Sequence, residues 1–113
     1  MPSDLIAITL PDTTVIYANA SYCRFANLSC NELTGRKLSE VLSPNDEQQF
    51  KSVASTICIE HPVNEAIFKT DYQGKTIWIS WNESGMFDEA GNLTQILSVG
   101  HVLDNSAVKL SNE

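Results

Sequence analysis

The side chains best suited to chemistry in this sequence are three cysteines and two histidines. They are Cys23, Cys30, Cys58, His61 and His101. Thiolates and imidazoles serve as nucleophiles, general bases and metal ligands, but each use requires partner residues at a defined spacing. The sequence contains no H-E-x-x-H motif, no C-x-x-C motif, no glycine-rich phosphate loop and no local support for a Ser-His-Asp triad. The pattern therefore predicts that the domain is not an enzyme and holds no metal.

The cysteine count and the first residues indicate a cellular compartment. Three cysteines form an odd set without a close pair, which favours a reducing compartment over a disulfide framework. We therefore expect Cys23 to be a small buried hydrophobic residue. The N-terminal stretch lacks a basic region and is interrupted early by Pro11, unlike a signal peptide, and no apolar run is long enough to span a membrane. These features predict a cytoplasmic location without membrane contact by this segment.

Length and composition predict one globular domain. The chain has 113 residues, of which 42% are hydrophobic and 19% charged, so it can bury one core and does not resemble a disordered segment. The formal net charge is −7. An acidic surface of this kind argues against direct binding to nucleic acid or to anionic lipid.

The elements that must position any site begin with a strand, a turn and two short helices. Val15–Ala18 is β-branched and aromatic, which favours a buried strand. Asn19 follows at once, where its side chain can hydrogen-bond the next backbone groups. Ser29 and Glu32 have the S-x-x-E spacing of a capping box, and Gly35 stands where a short helix needs a residue with positive φ.

The remaining segments alternate between strand and helix patterns. A capped start with proline in the first turn predicts one longer helix, which should end before the proline at position 62. One late strand has apolar residues of both parities, which predicts a central strand covered on both faces. Two early and three late strands with helices between them are typical of the α+β class. The predicted elements are strand Leu5–Leu10, helices over 20–26 and 29–34, a segment Lys37–Leu42 with a helical turn, a helix from Ser43 to near Glu60, and strands Val63–Thr70, Thr76–Asn82 and Leu93–Leu103.

The first third of the chain resembles a PAS domain of the sensory-box type. That family has a strand ending in Tyr-x-Asn, then an aromatic residue, a serine-led turn and Glu-Leu-x-Gly-Arg. Tyr17 and Asn19 match the strand end, Tyr22 fills the aromatic position, and Ser29 with the run Glu32–Arg36 completes the motif. Asn27 replaces the usual glycine, and asparagine also tolerates the left-handed conformation. The resemblance extends over roughly residues 4 to 104.

The resemblance implies a five-stranded antiparallel sheet of order 2-1-5-4-3, with short helices and one longer helix packed on one face around a pocket. Residues 1–104 would form the sensory domain, and residues 105–113 would begin a C-terminal linker. The family often ends with Gly-x-Asp-Ile-Thr, whereas this chain has Val102 at the aspartate position and Asp104 as a displaced substitute. That departure puts the common form of coupling to an output domain in doubt.

Two cofactors known in similar domains fit this sequence poorly. Cys23-Arg24-Phe25 resembles part of the cysteine signature of flavin-based light sensors, but the position where those domains carry their cysteine holds Leu38. Haem-binding relatives use a histidine within the long helix, whereas His61 follows the predicted helix and His101 lies in the last strand, at a structural or edge position. We therefore predict no cofactor, and we rank flavin above haem among the alternatives.

Two functions remain open from the sequence. The first is a bacterial sensory domain that binds a small ligand or partner and signals to a downstream GGDEF cyclase or histidine kinase. The second is a ligand-free dimerisation module, in which large side chains such as Trp78 and Trp81 fill the core or form a dimer face. We also expect the chain to form a homodimer. Motif position and apolar character select the candidate ligand-binding residues Tyr22, Phe25, Leu33, Leu38, Phe50, Ile57, Ile67, Trp78 and Leu97, and the structural motif residues are Asn19, Ser29, Glu32 and Gly35.

Overall fold

The computed structural model describes residues 4–103, which form one antiparallel sheet with helices on one face. The strand order is β2-β1-β5-β4-β3, as the family resemblance implied. Early and late strands therefore lie side by side, since β1 pairs with β5 along its whole length. The strands are β1 (Leu5–Thr9), β2 (Val15–Ala18), β3 (Val63–Tyr72), β4 (Lys75–Phe87) and β5 (Leu93–Leu103).

Four helices connect β2 to β3. The three short ones follow β2 directly, and the longest precedes β3 and packs against it. Within the described residues, no helix combines the length and the apolarity needed to cross a bilayer. The helices are α1 (Ala20–Ala26), α2 (Cys30–Leu33), α3 (Leu38–Val41) and α4 (Pro44–Ala54).

The sheet has an inner face covered by the helices and an outer face that the described residues leave uncovered. Residues of alternate parity point to opposite faces, so the register assigns each strand residue to a face. The core cluster lies between the inner face and the short helices. Its most buried members include Ala7, Val15, Leu33, Leu38 and Ile79.

The local signals in the sequence form the predicted structures. Ser29 accepts a hydrogen bond from the Glu32 amide at 3.1 Å, and Glu32 accepts one from the Ser29 amide at 3.1 Å, so the capping box is confirmed. The same contacts hold the pKa of the Glu32 carboxyl below its ordinary value. Asn27 has φ 60° and Gly35 has φ +94°, so both occupy the left-handed region.

The longer helix ends earlier than the sequence predicted. It stops at Ala54 instead of near Glu60. The Ser55 hydroxyl donates to the Ser52 carbonyl at 2.8 Å, and the Thr56 hydroxyl donates to the Val53 carbonyl at 2.7 Å. Such local side-chain bonds compete with helix continuation.

The strand now labelled β4 is longer than predicted and differs in its environment. It continues to Phe87, five residues past the expected end at Asn82. Its ladders with β3 and β5 extend along this length, so tertiary pairing overrides the weak strand preference of Asn82, Glu83 and Gly85. We expected cover on both faces of β4, but the described residues cover only its inner face.

The cysteine count favoured a reducing compartment over a disulfide framework, but one pair of cysteines is bonded. Cys23 on α1 and Cys30 at the start of α2 form a disulfide, with their Cα atoms 5.5 Å apart. The left-handed residue Asn27 reverses the chain between the two helices and brings the cysteines together. Cys58 is free and exposed.

Candidate functional site

A small cavity lies between the inner face of the sheet and the helices α1 and α4. The cavity volume, measured as the space that the centre of a water molecule can occupy, is about 50 Å³. A single water needs on the order of 10–15 Å³ by this measure, so the cavity holds a few waters or a compound of few atoms. It is lined by Tyr22, Phe25, Leu42, Asp46, Gln49, Phe50, Val53, Phe68, Thr70, Ile79, Trp81, Glu83 and Ser98.

Asn19 fixes the helix that supplies the first wall. Its Oδ1 accepts hydrogen bonds from the Tyr22 amide at 2.9 Å and the Ile6 amide at 3.1 Å. Its Nδ2 donates to the Asp4 carbonyl at 2.8 Å. One side chain therefore caps α1 and ties the helix to β1, which sets the position of Tyr22 over the sheet.

The aromatic rings of this wall meet edge to face. The Tyr22 and Phe25 ring centroids are 6.1 Å apart at 65°, and those of Tyr22 and Trp81 are 6.3 Å apart at 62°. These are favourable geometries for aromatic pairs. Tyr22 is thus held between a ring of its own helix and a ring of β4.

The N-terminal turn of α4 forms the opposite wall. Ser43 caps the helix by accepting a hydrogen bond from the Asp46 amide at 3.2 Å. The Thr70 hydroxyl donates to Asp46 Oδ2 at 2.5 Å, and Gln49 Nε2 donates to the Lys69 carbonyl at 3.4 Å. These bonds connect α4 to β3 and turn the Asp46 carboxylate toward the cavity.

The most perturbed acid of the site is Glu83 on β4. Its side chain is only 3% exposed. The Ser98 hydroxyl of β5 donates to Glu83 Oε2. Burial raises the pKa of Glu83 to about 7, and the hydrogen bond from Ser98 opposes this only in part. Burial, with the nearby Glu83 and Asp46 carboxyls, also raises the pKa of Tyr22, which therefore stays a neutral phenol.

Gly100 makes room for the indole of Trp81. The two residues are partners in the β4–β5 ladder. A Cβ atom at position 100 would lie 2.5 Å from Cζ3 of the Trp81 ring. The absence of a side chain at Gly100 is therefore what lets the indole lie flat across β5 beside the cavity.

The structure brings together part of the predicted pocket. Tyr22, Phe25 and Phe50 line the cavity. Three other candidates are buried but lie elsewhere in the core, because α2 packs beside β2, α3 begins where the Leu38 amide donates to the Thr13 carbonyl, and Ile57 packs against Gly85. These three are Leu33, Leu38 and Ile57.

The last three candidates do not line the cavity, since they point to the outer face. Ile67 pairs with Ser80, so its parity is opposite to that of Phe68, which lines the cavity. Trp78 is likewise opposite in parity to Ile79 and Trp81, and Leu97 is opposite to Ser98. Apolar character alone had selected these residues, and it does not distinguish the two faces of a sheet.

Sequence reasoning missed the polar residues of the cavity. Glu83 has the same parity in β4 as Ile79 and Trp81, so a charged residue on the apolar face was the signal available. Asp46 lies in the first turn of the predicted long helix, where an acidic residue is expected for structural reasons, and nothing in the sequence paired Ser98 with Glu83.

The two histidines and a second groove lie outside this cavity. His61 is exposed and forms an isolated backbone β-bridge with Cys58. His101 is exposed on β5, which has a neighbouring strand on each side, and its Nδ1 lies 3.0 Å from Asp4 Oδ1. The expected edge position of His101 is therefore wrong. A second groove of about 340 Å³ near Asp12 and Phe50 is more open to solvent. Residues 4–103 contain no cluster of three side chains that could hold a metal ion.

Comparison with known proteins agrees with this architecture. The sequence model of the PAS fold family matches residues 1–103. A sensory box sensor histidine kinase from Vibrio cholerae is similar at TM-score 0.75 and 10% identity, over 89% of this chain and 82% of that chain. The PAS domain of BvgS from Bordetella pertussis is similar at TM-score 0.76 and 13% identity, over 96% and 83%.

A third solved structure is similar over a smaller share of its own length. It is a VqmA dimer from Vibrio cholerae, with TM-score 0.75 and 18% identity, and the match spans 93% of this chain but 48% of that one. At these identities the structural likeness shows the fold alone. No curated protein sequence matches the chain significantly.

Proposed function

The chain belongs to the PAS family, and on that premise we propose that it is a sensory domain that binds a small ligand and transmits this event to a downstream output domain. We assign no catalysis to the domain itself. The observation that carries the proposal is the cavity between α1, α4 and the inner face of the sheet, where apolar walls surround a few convergent polar groups.

Ligand binding would change how the helices sit on the sheet. Helix α4 is held over the cavity by the bond from Thr70 to Asp46 and by the longer bond from Gln49 to the Lys69 carbonyl. A ligand that competes for Asp46, or that widens the cavity, would favour a different position of α4. Ser98 of β5 contacts Glu83 beneath the same cavity, and β5 leads to the C-terminal residues.

A metabolite panel tests the proposal. We expect at least one compound of few heavy atoms to raise the melting temperature of the purified chain, because binding to the folded state alone stabilises it. Phe50→Trp reduces the free volume and should abolish that shift, whereas Tyr17→Trp, on the outer face, should not. A panel without any shift would contradict the ligand-sensing function.

The outer face supports dimerisation as a second function. Tyr17 is 49% exposed and Ile67 is 56% exposed, and half-buried Trp78 lies on the same face. Exposed apolar surface of this extent is typical of protein contacts. We propose that a second copy of the chain covers this face, as the sequence led us to expect. Ile67→Asp should convert a dimer into a monomer in sedimentation analysis, and a wild-type monomer at high concentration would exclude this interface.

The output domain is also a proposal. Likeness to a sensory box histidine kinase supports a kinase, and a GGDEF cyclase is the alternative. The coding sequence after Glu113 tests this proposal. A kinase or GGDEF domain there would support it, and the absence of both would contradict it. The proposed linker over 105–113 and the domain boundary at residue 104 lie outside the described residues.

Two further proposals concern the cellular compartment and the absence of a bound cofactor. We propose a cytoplasmic location, which requires that the Cys23–Cys30 disulfide forms only transiently there. Thiol labelling of the protein in intact host cells should find both cysteines reduced under normal growth. An absorbance spectrum of the purified protein should have no flavin or haem band, and either band would overturn the expectation of a domain without a cofactor.

A further inference from the structure

The cavity is acidic as well as aromatic. Its titratable side chains are Tyr22 on α1, Asp46 on α4 and Glu83 on β4, whereas the residues from β3 and β5 carry no titratable group. None of the described residues that line it is a lysine, an arginine or a histidine. The two carboxyl groups therefore have no basic partner within the cavity.

Glu83 is incompletely hydrogen-bonded. Its Oε2 accepts the Ser98 hydroxyl, while Oε1 accepts no hydrogen bond from the part of the chain that the structure describes. The side chain is 97% withdrawn from solvent, since only 3% of it is exposed. Because Glu83 lines the cavity, an occupant with an N–H group can supply the donor that the described residues do not give to Oε1.

The aromatic rings around the cavity also favour a positively charged ligand. Five of the lining residues are aromatic, and the faces of such rings attract cations. Two of them, Tyr22 and Trp81, are fixed against each other at 6.3 Å. The five aromatic lining residues are Tyr22, Phe25, Phe50, Phe68 and Trp81.

We propose that the cavity binds a small organic cation with N–H donors, of the size of a short alkylammonium or amidinium ion. Its N–H group donates to Glu83 Oε1, its charge is balanced by Glu83 and Asp46, and its carbon atoms contact Phe50, Val53 and Phe68. This inference rests on the proposed ligand-sensing function and specifies the class of ligand. A quaternary ammonium ion would leave Glu83 Oε1 without a donor, and an anion would be repelled by both carboxyls.

Size supports a compound of few heavy atoms. The cavity volume of about 50 Å³ is well below the roughly 300–1,000 Å³ typical of sites for drug-sized ligands. Ethylammonium and acetamidinium are therefore suitable probes, and propionate and 1-propanol have similar size with negative and zero charge.

Binding of such a cation should be linked to pH. Burial raises the pKa of Glu83 to about 7, so below neutrality the proton competes with the ligand for the same carboxyl. The other titratable groups facing Glu83 are Asp46 and the phenol of Tyr22, and the pKa of Tyr22 is raised. We expect the affinity to rise about tenfold per pH unit below pH 7 and to level off above pH 8.

Calorimetric titration of the 113-residue chain at pH 8 tests the class of ligand. Ethylammonium or acetamidinium should bind at pH 8 with little proton release, and in a second titration at pH 6 with release of nearly one proton to the buffer. Tetramethylammonium should bind at least tenfold more weakly, and propionate not at all. Binding of propanol or of a panel metabolite without any binding of the amines would refute the cationic class but leave the sensory function standing. If no compound of any class binds, the sensory function itself fails.

Matched variants locate the binding. Glu83→Gln keeps the shape and removes the charge, so it should weaken amine binding at least tenfold and abolish proton release. Glu65→Gln is the control, because Glu65 lies exposed on the outer face of β3. Equal binding by both variants would overturn the proposal. If Glu83→Gln does not fold, the affinity of the wild type for ethylammonium is compared at pH 5.5 and pH 8. Weaker binding at pH 5.5 supports the role of Glu83, and equal affinity at both pH values refutes it.

Discussion

Glu83→Gln should make the stability of the unliganded domain less dependent on pH. The folded state raises the pKa of this carboxyl from its ordinary 4.5 to about 7, chiefly through burial. Between these values the folded protein therefore binds more protons than the unfolded chain, and the free energy of unfolding falls as pH rises. The contribution of protonated Glu83 is complete below pH 4.5 and is lost as pH rises through 7.

The size of this effect follows from the pKa change. At about 1.4 kcal/mol per pH unit, raising the pKa from 4.5 to about 7 corresponds to roughly 3 kcal/mol. Glu83 is 3% exposed, so solvent screening reduces this figure little. Glutamine cannot ionise, and it can still accept a hydrogen bond from Ser98.

Urea unfolding at pH 4.5, 5.5, 6.5, 7.5 and 8.5 measures the effect in the absence of ligand. Between pH 4.5 and pH 8.5, the free energy of unfolding of the wild type should fall by about 3 kcal/mol relative to that of Glu83→Gln. Glu65→Gln, altered on the outer face, should follow the wild type at every pH. Parallel curves for the wild type and Glu83→Gln would refute the reasoning, since they would mean that Glu83 is not desolvated in the folded state.

Three further changes test the scaffold of the cavity by urea unfolding or melting. Asn19→Ala removes the cap of α1 and the bonds to Ile6 and Asp4, and should cost about 2 kcal/mol. Reduction of the Cys23–Cys30 disulfide should cost about 2 kcal/mol, because it frees a short loop in the unfolded chain. Gly100→Ala forces a Cβ atom against the neighbouring indole and should cost roughly 1–3 kcal/mol, with a changed tryptophan emission spectrum.

The first two of these changes have control variants. Asn45→Ala alters an exposed asparagine on α4 and should leave stability within about 0.5 kcal/mol of the wild type. Cys58→Ser should unfold like the wild type under oxidising and reducing conditions, because Cys58 is free. Identical transitions of the wild type with and without reductant would contradict the disulfide, and unchanged stability of Gly100→Ala would contradict the position of the indole.

The sequence by itself determined the local conformations and, through the family motif, the fold. The capping box of Ser29 and Glu32, the left-handed residues Asn27 and Gly35, and the bounds of β2 follow from preferences of the backbone over a few residues. Such preferences depend on hydrogen bonds and steric contacts between near neighbours, so they can be inferred without knowledge of distant residues. The strand order followed from the resemblance, because no local rule specifies which strands pair.

Only the tertiary structure decided which side chains share the cavity. Ile67, Trp78 and Leu97 have the apolar character of pocket residues, but the register of the sheet turns them outward. Glu83 meets Ser98 because β4 and β5 pair in one register, and Cys23 meets Cys30 because the chain reverses between two helices. Side-chain contacts of this kind depend on the packing of whole elements, since a shift of one residue in register would move every side chain of a strand to the other face.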